Sequence, residues 1–184
     1  MEPYVNLNIE NAVGTIEFFH PQSNSLPSSL LKKIADAIKS SGENDNIKVG
    51  NIEEDFDIVK KADWVVEAVV ERINIKHNLY EKILKTRKKD SIISSNTSTI
   101  PLKILSAKMS DEDKKDLCMT HFFNPVRYMG LLENVSENIN DVKKIDFLKH
   151  FCEDSLGKGV ISCKDTPGFL GNRVGVYAMQ VAMT

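Results

Sequence analysis

The sequence predicts an α/β fold, a partial parallel sheet with crossover helices, preceded by a β-hairpin and one helix. Three observations carry this expectation. From Asn51 onward, short apolar runs alternate with helical stretches, the order that builds a parallel sheet. Before that point, two segments of alternating polarity flank Glu10-Asn11, with Gly14 close behind, as in a hairpin. The change of character falls near Val49-Gly50 and divides the chain into residues 1–49 and 50–184.

Tyr4 to Ile9 and Val13 to Phe19 are the hairpin strands, and Pro21 to Leu26 is a polar loop. Ser25 suits the cap of the next helix and Pro27 its first turn, where a missing N–H costs nothing. Leu30, Leu31, Ile34, Ala37 and Ile38 make one apolar stripe, ended by Gly42. Asp55 to Ala62 is a short helix, and Trp64 to Val69 is an apolar strand of the kind buried on both faces. Glu67 within it must be paired or sit at the strand's exposed end, because an isolated buried carboxylate is costly. Asn74 to Lys89 is an amphipathic helix with Ile75, Leu79, Ile83 and Leu84 inward. Its basic end (Lys82, Lys85, Arg87, Lys88, Lys89) suits the macrodipole and reads as solvated. Ser91 to Ser95 is a strand, and Asn96 to Thr99 follows at its end, able to bond a ligand or to cap a helix beginning near Pro101. Leu117 to Phe123 and Leu131 to Val135 are strands, and Asp141 to Leu156 is a helix with Val142, Ile145, Leu148, Phe151 and Cys152 inward. Val160 to Cys163 is the last strand, Asp165 to Gly168 a turn, and Leu170 to Met183 the start of a further helix.

Composition excludes several classes of partner. The 184 residues hold 24 Lys plus Arg against 26 Asp plus Glu, for a net charge of −2 with no long run of one sign. Nucleic acid and anionic membrane surfaces are therefore not expected partners. Apolar runs stay well short of the roughly 20 residues that cross a bilayer, so no membrane insertion is expected. Cys118, Cys152 and Cys163 show no CxxC or Cys/His spacing; they read as reduced thiols of a cytoplasmic protein, and no metal site is expected.

The chemistry concentrates in Met119 to Val135, MTHFFNPVRYMGLLENV. His121 sits near the end of an apolar strand and Glu133 twelve positions on. A histidine held by a carboxylate can take a proton from an alcohol near neutral pH. Asn124-Pro125 stops the strand and leaves these polar groups at its terminus, where open α/β sheets keep their ligands. On these two residues alone, a hydrogen-bonded core histidine is the commoner role.

HFFNPVRYMGLLE closely resembles the signature of the 3-hydroxyacyl-CoA dehydrogenases of fatty-acid β-oxidation. The likeness recurs in Val65–Lys76 (VVEAVVERINIK), Ser94–Ile100 (SSNTSTI) and Gly157–Arg173 (GKGVISCKDTPGFLGNR). It implies a Rossmann-like NAD-binding domain over residues 50–184, incomplete at its start, with a C-terminal helical domain beginning from about residue 170. The activity implied is oxidation of an (S)-3-hydroxyacyl-CoA to the 3-ketoacyl-CoA with NAD. His121 matches the base and Glu133 the carboxylate that orients it. Ser98 and Asn172 match substrate-binding positions, and Glu71, Lys76, Ser98 and Asn124 match cofactor-binding positions on the nicotinamide side. Glu71 and Lys76 also suit an ordinary surface pair, and Asn172 a helix cap. An acyl-CoA substrate is implied, with a homo-oligomer or a partner subunit supplying the elements that the chain lacks.

Two features depart from the family's pattern. None of the nine glycines forms the GxGxxG turn, whose bare backbone lets helix N–H groups approach a pyrophosphate. Residues 1–49 instead resemble the opening hairpin and helix of the enoyl-CoA hydratase (crotonase) family, without the glycine-rich segments that would hold a thioester oxyanion. The competing expectation is a non-catalytic remnant serving as an acyl-CoA-binding or subunit-interaction module.

Overall fold

The computed structural model describes residues 2–10, 13–19, 28–40 and 50–183. The expected hairpin turn, the loop Pro21 to Leu26 with Ser25 and Pro27, the Gly42 stop and the junction at Val49 lie outside these residues. The chain divides into two compact units, Met1–Phe56 and Asp57–Thr184. In the first, β1 (Tyr4–Glu10) pairs antiparallel with β2 (Val13–Phe19) in a two-stranded sheet, and α1 (Ser28–Ser40) lies against both. Leu30 is buried, whereas Leu31, expected in the same stripe, is exposed.

The second unit is built on a five-stranded sheet, β3 (Trp64–Glu67), β4 (Ile92–Ser95), β5 (Leu117–Phe122), β6 (Leu131–Val135) and β7 (Gly159–Cys163), in that spatial order. The sheet is mostly parallel, as expected, with one reversal: β5 and β6 run antiparallel. The physical reason is the connection. Residues 123–130 are too few for the crossover of a dozen or more residues that a parallel pair needs. Joined this way, neighbours in sequence become neighbours in register, and His121 stands directly opposite Glu133.

The short helix expected before β3 is a 3-10 helix (Phe56–Lys61). The other connections are α2 (Ile73–Thr86), α3 (Leu102–Leu105), α4 (Asp111–Lys114), α5 (Val142–Asp154) and α6 (Gly171–Met183). The helix expected near Pro101 is thus two short pieces. On one face of the sheet Ile92, Cys118 and Leu132 form a core with Leu148 and Cys152 of α5, flanked by Trp64, Phe122, Ile145 and Val160. The opposite face is covered by α2, whose Tyr80 reaches Glu67. Since side chains alternate across a pleated strand, the registers place Glu67, Ser95, His121 and Glu133 together on that second face.

Several periodicity readings need correction. β3 is the edge of the described sheet rather than a strand buried on both faces, and Val66 is 43% exposed. α2 keeps Ile83 buried and Leu79 and Leu84 half-buried, as expected, but Ile75 is exposed while Lys76 and Tyr80 are buried. Glu67 draws Lys76 and Tyr80 inward. Val142 and Phe151 of α5, expected inside, are exposed, although Phe151 packs edge-on against Trp64. Arg87, read as solvated, is largely covered and pairs with Asp116 at 2.7 Å and Asp113 at 3.3 Å.

Candidate active site

Glu133 Oε2 accepts a hydrogen bond from His121 Nδ1 at 2.7 Å, with both residues buried. A carboxylate can only accept here, so the ring proton sits on Nδ1 and Nε2 is left as an acceptor. Ser98 Oγ, 3.1 Å from Nε2, is then the donor. The second carboxylate oxygen of Glu133 is also occupied, accepting the backbone N–H groups of Leu170 at 2.8 Å and Gly171 at 2.7 Å, where α6 begins. Burial opposes the ionisation of Glu133, but the Gly171 N–H, the His121 contact and the Leu170 N–H outweigh it and hold the carboxyl below its ordinary range. The group therefore stays charged and can stabilise an imidazolium opposite it.

The ring of His121 packs against Phe123, at 4.5 Å between ring centroids, and Phe169, at 5.6 Å. Phe169 has a positive φ of 44°, which turns the chain from the Pro167-Gly168 bend into α6. Gly171 is close-packed here: a Cβ there would lie 2.6 Å from Phe123 Cζ, so the Phe123 ring would have to move. The aromatic walls and the two backbone donors are the parts of the site that residue types in sequence did not mark.

At the end of β4, the loop 96–99 is fixed from several sides. Asn96 Oδ1 accepts from Phe122 N at 2.9 Å, tying the loop to the strand that carries His121. Glu71 Oε1 accepts from Thr97 Oγ1, from Ser98 N at 3.3 Å and from Thr99 Oγ1 at 3.2 Å. Asn172 Nδ2 donates to Ser98 O at 3.4 Å from inside the first turn of α6, so it bridges two segments and does not cap the helix. Asn124 lies exposed beyond the end of β5, outside this hydrogen-bonded cluster.

Lys76 is 1% exposed, which rules out an ordinary surface pair. Its Nζ donates to Glu67 Oε1 at 2.7 Å and Val69 O at 3.3 Å, and lies 3.1 Å from Glu71 Oε2. Burial works against the charge of Glu71, but the Thr97 and Lys76 hydrogen bonds and the Lys76 charge prevail and hold its carboxyl below the ordinary range. Among the described residues no group of three His, Cys, Asp or Glu side chains is placed to hold a metal ion.

Fold and site together define an α/β protein with a buried, hydrogen-bonded histidine–carboxylate pair on a mostly parallel sheet. Residues 20–166 match the family described as "3-hydroxyacyl-CoA dehydrogenase, NAD binding domain", and the chain belongs to that family. It is 44% identical over 135 residues to a trifunctional enzyme of a fatty acid oxidation complex from Rickettsia felis, so named there by inference; the match covers 73% of this chain and 19% of that one. It is 34% identical over 153 residues to the mitochondrial hydroxyacyl-coenzyme A dehydrogenase of Homo sapiens, covering 81% and 48% of the two chains. The crystal structure of (S)-3-hydroxybutyryl-CoA dehydrogenase from Ralstonia eutropha superposes with a TM-score of 0.66 at 27% identity, over 84% of this chain and 56% of that one. The chain thus spans between about a fifth and about a half of the length of these relatives.

NAD is the cofactor of this family. The residues present fit its nicotinamide end: Ser98 and His121 offer hydroxyl and imidazole at the sheet's mouth, and the side chain of Glu71 remains 40% exposed. They do not supply the glycine turn for the pyrophosphate, since none of the nine glycines forms it.

Proposed function

We propose that this chain carries the catalytic portion of a 3-hydroxyacyl-CoA dehydrogenase of fatty-acid β-oxidation, acting on (S)-3-hydroxyacyl-CoA. The observation that carries the reading is the 2.7 Å contact between His121 Nδ1 and a Glu133 already held by two backbone donors. That contact presents Nε2 as a base with fixed direction. The substrate's 3-hydroxyl gives its proton to Nε2, and Glu133 stabilises the imidazolium that forms. Ser98 Oγ, already within 3.1 Å of Nε2, holds the substrate's 3-oxygen, which stays on C3 and becomes the ketone oxygen, and Asn172 steadies the Ser98 segment beside it. When bound, NAD supplies the acceptor for the hydride that leaves C3. Glu71, Ser98 and Asn124 would hold its nicotinamide end, with Lys76 acting through Glu71 because its own donors face protein acceptors.

In this reading residues 1–49 form a crotonase-like piece, residues 50–184 the dehydrogenase domain, and the segment from about 170 the start of a helical domain. The two compact units support a division in this region. The relatives' greater length, and the trifunctional name of one of them, support a partner domain, a partner subunit or a second copy that completes the pyrophosphate and acyl sites. The three free thiols, two of them buried, support a reducing compartment such as the cytoplasm. No helix among the described residues is long and apolar enough to cross a membrane.

The absent glycine turn favours one other reading, a non-catalytic module that binds acyl-CoA or a subunit. NADH binding followed by fluorescence, and oxidation of 3-hydroxybutyryl-CoA beside a His121→Gln variant, separate the two. Binding, with turnover that disappears in the variant, is expected for the dehydrogenase; the absence of both overturns it.

A further inference from the structure

Glu67 takes no part in the proton path, yet its buried carboxylate accepts four hydrogen bonds. Oε1 accepts from Lys76 Nζ and Val69 N, and Oε2 from Tyr80 Oη and Ser95 Oγ, each at 2.7 Å. A buried charge is tolerated only with such partners, and the partners are fixed by it in turn. Two side-chain routes lead from this carboxylate to the loop 96–99. Through Lys76 it reaches Glu71, which holds Thr97, Ser98 and Thr99. Through Ser95 it reaches Thr97, whose backbone N–H donates to Ser95 Oγ at 3.3 Å. The loop so held presents Ser98 Oγ to His121 Nε2.

We infer that Glu67 is a positioning residue: acting through Lys76 with Glu71 on one side and through Ser95 on the other, it fixes the loop that aims Ser98 at His121. The consequence for turnover rests on the dehydrogenase reading; the consequence for the loop does not. Glu67→Gln is the informative variant because it keeps the shape and disturbs a route whichever way the amide lies. With its NH2 toward Lys76, it faces the Lys76 Nζ and Val69 N–H donors, and the Lys76 route is broken. With its NH2 toward Tyr80 and Ser95, those hydroxyls must turn to accept, and Ser95 Oγ loses the acceptor that fixes its lone pairs toward the Thr97 N–H.

The test is residue-resolved amide hydrogen exchange on the full chain. In Glu67→Gln the amides of Thr97 and Ser98 are expected to exchange roughly tenfold faster or more, while Ile93 in β4 and Leu170 and Gly171 beside Glu133 keep their rates. Unchanged loop amides, or loss of protection spread evenly through the sheet, overturns the inference, since a carboxylate that merely stabilises the core would act globally. Should Glu67→Gln fail to fold, Ser95→Ala and Glu71→Gln each cut one route, and unchanged loop exchange in both overturns it equally. Where the parent chain oxidises 3-hydroxybutyryl-CoA, kcat in Glu67→Gln is expected to fall about tenfold or more, with KM for the acyl-CoA within about twofold. A parent chain without NADH binding or turnover sinks the dehydrogenase reading alone and leaves the exchange result to decide Glu67.

Discussion

Two carboxylates lie buried on the same face of the sheet, and they are built for different work. Glu133 shares a register position with His121 across an antiparallel pair, and its partner is an imidazole, which carries one donor and one acceptor nitrogen. Glu67, at the end of edge strand β3, meets Lys76, Tyr80, Ser95 and a backbone N–H. Burial and the adjacent Glu67 push the Tyr80 phenol well above its ordinary value, so it remains a donor. A carboxylate paired with an imidazole can assist proton transfer, whereas one ringed by permanent donors can only hold. The partner decides the role, since burial is shared by both.

Lys76→Ala should sharpen this contrast most. It removes the cationic partner from a carboxylate with no access to water, so stability in urea is expected to fall by about 3–5 kcal/mol. His121→Gln removes the proposed base and leaves Glu133 with its two backbone donors. Turnover is expected to drop about 10²–10⁴-fold, with the urea midpoint nearly unchanged; a large loss of stability would recast His121 as a core residue.

Gly171→Ala tests the wall of the site. The added methyl would meet Phe123 at 2.6 Å, and a cost of about 1–3 kcal/mol is expected, together with a shift in the His121 ring resonances. Acid dependence comes next. Glu133 has a folded-state pKa below its ordinary 4.5, so its contribution to stability is present above that value and lost as pH falls through the folded pKa. Stability measured from pH 6 downward should therefore decline below about pH 4.5 in the parent and decline less in Glu133→Gln. The smallest effect belongs to the exposed pair Lys60–Asp57, where Asp57→Ala is expected to change stability by less than about 0.5 kcal/mol. A larger change there would blur the distinction between buried and surface charge on which the comparison rests.

How legible these regions were in sequence follows the distance over which each is assembled. His121 and Glu133 belong to one local unit, strand, short reversal, strand, and the Asn124-Pro125 stop marks where it turns. Ser98 and Asn172 were found through family motifs, and the structure brings both to the same loop. Apolar periodicity assigns Ile75 of α2 inward, and a hydrophobic pattern has no way to register that a buried carboxylate will draw in the neighbouring lysine. The donors of Leu170 and Gly171 left no trace either, since every residue but proline carries an N–H and only its direction makes it part of a site.

By itself the amino-acid order determined the α/β class, the alternation of strands and helices, the family and the candidate acid–base pair, because each depends on patterns within a short stretch of chain. The reversal between β5 and β6, the edge position of β3, the burial of Lys76 and the docking of the α6 N-terminus on Glu133 were decided only in three dimensions. Those features depend on which distant groups meet where water is excluded, and the cost of leaving a buried polar group unpaired is settled only once the packing is complete.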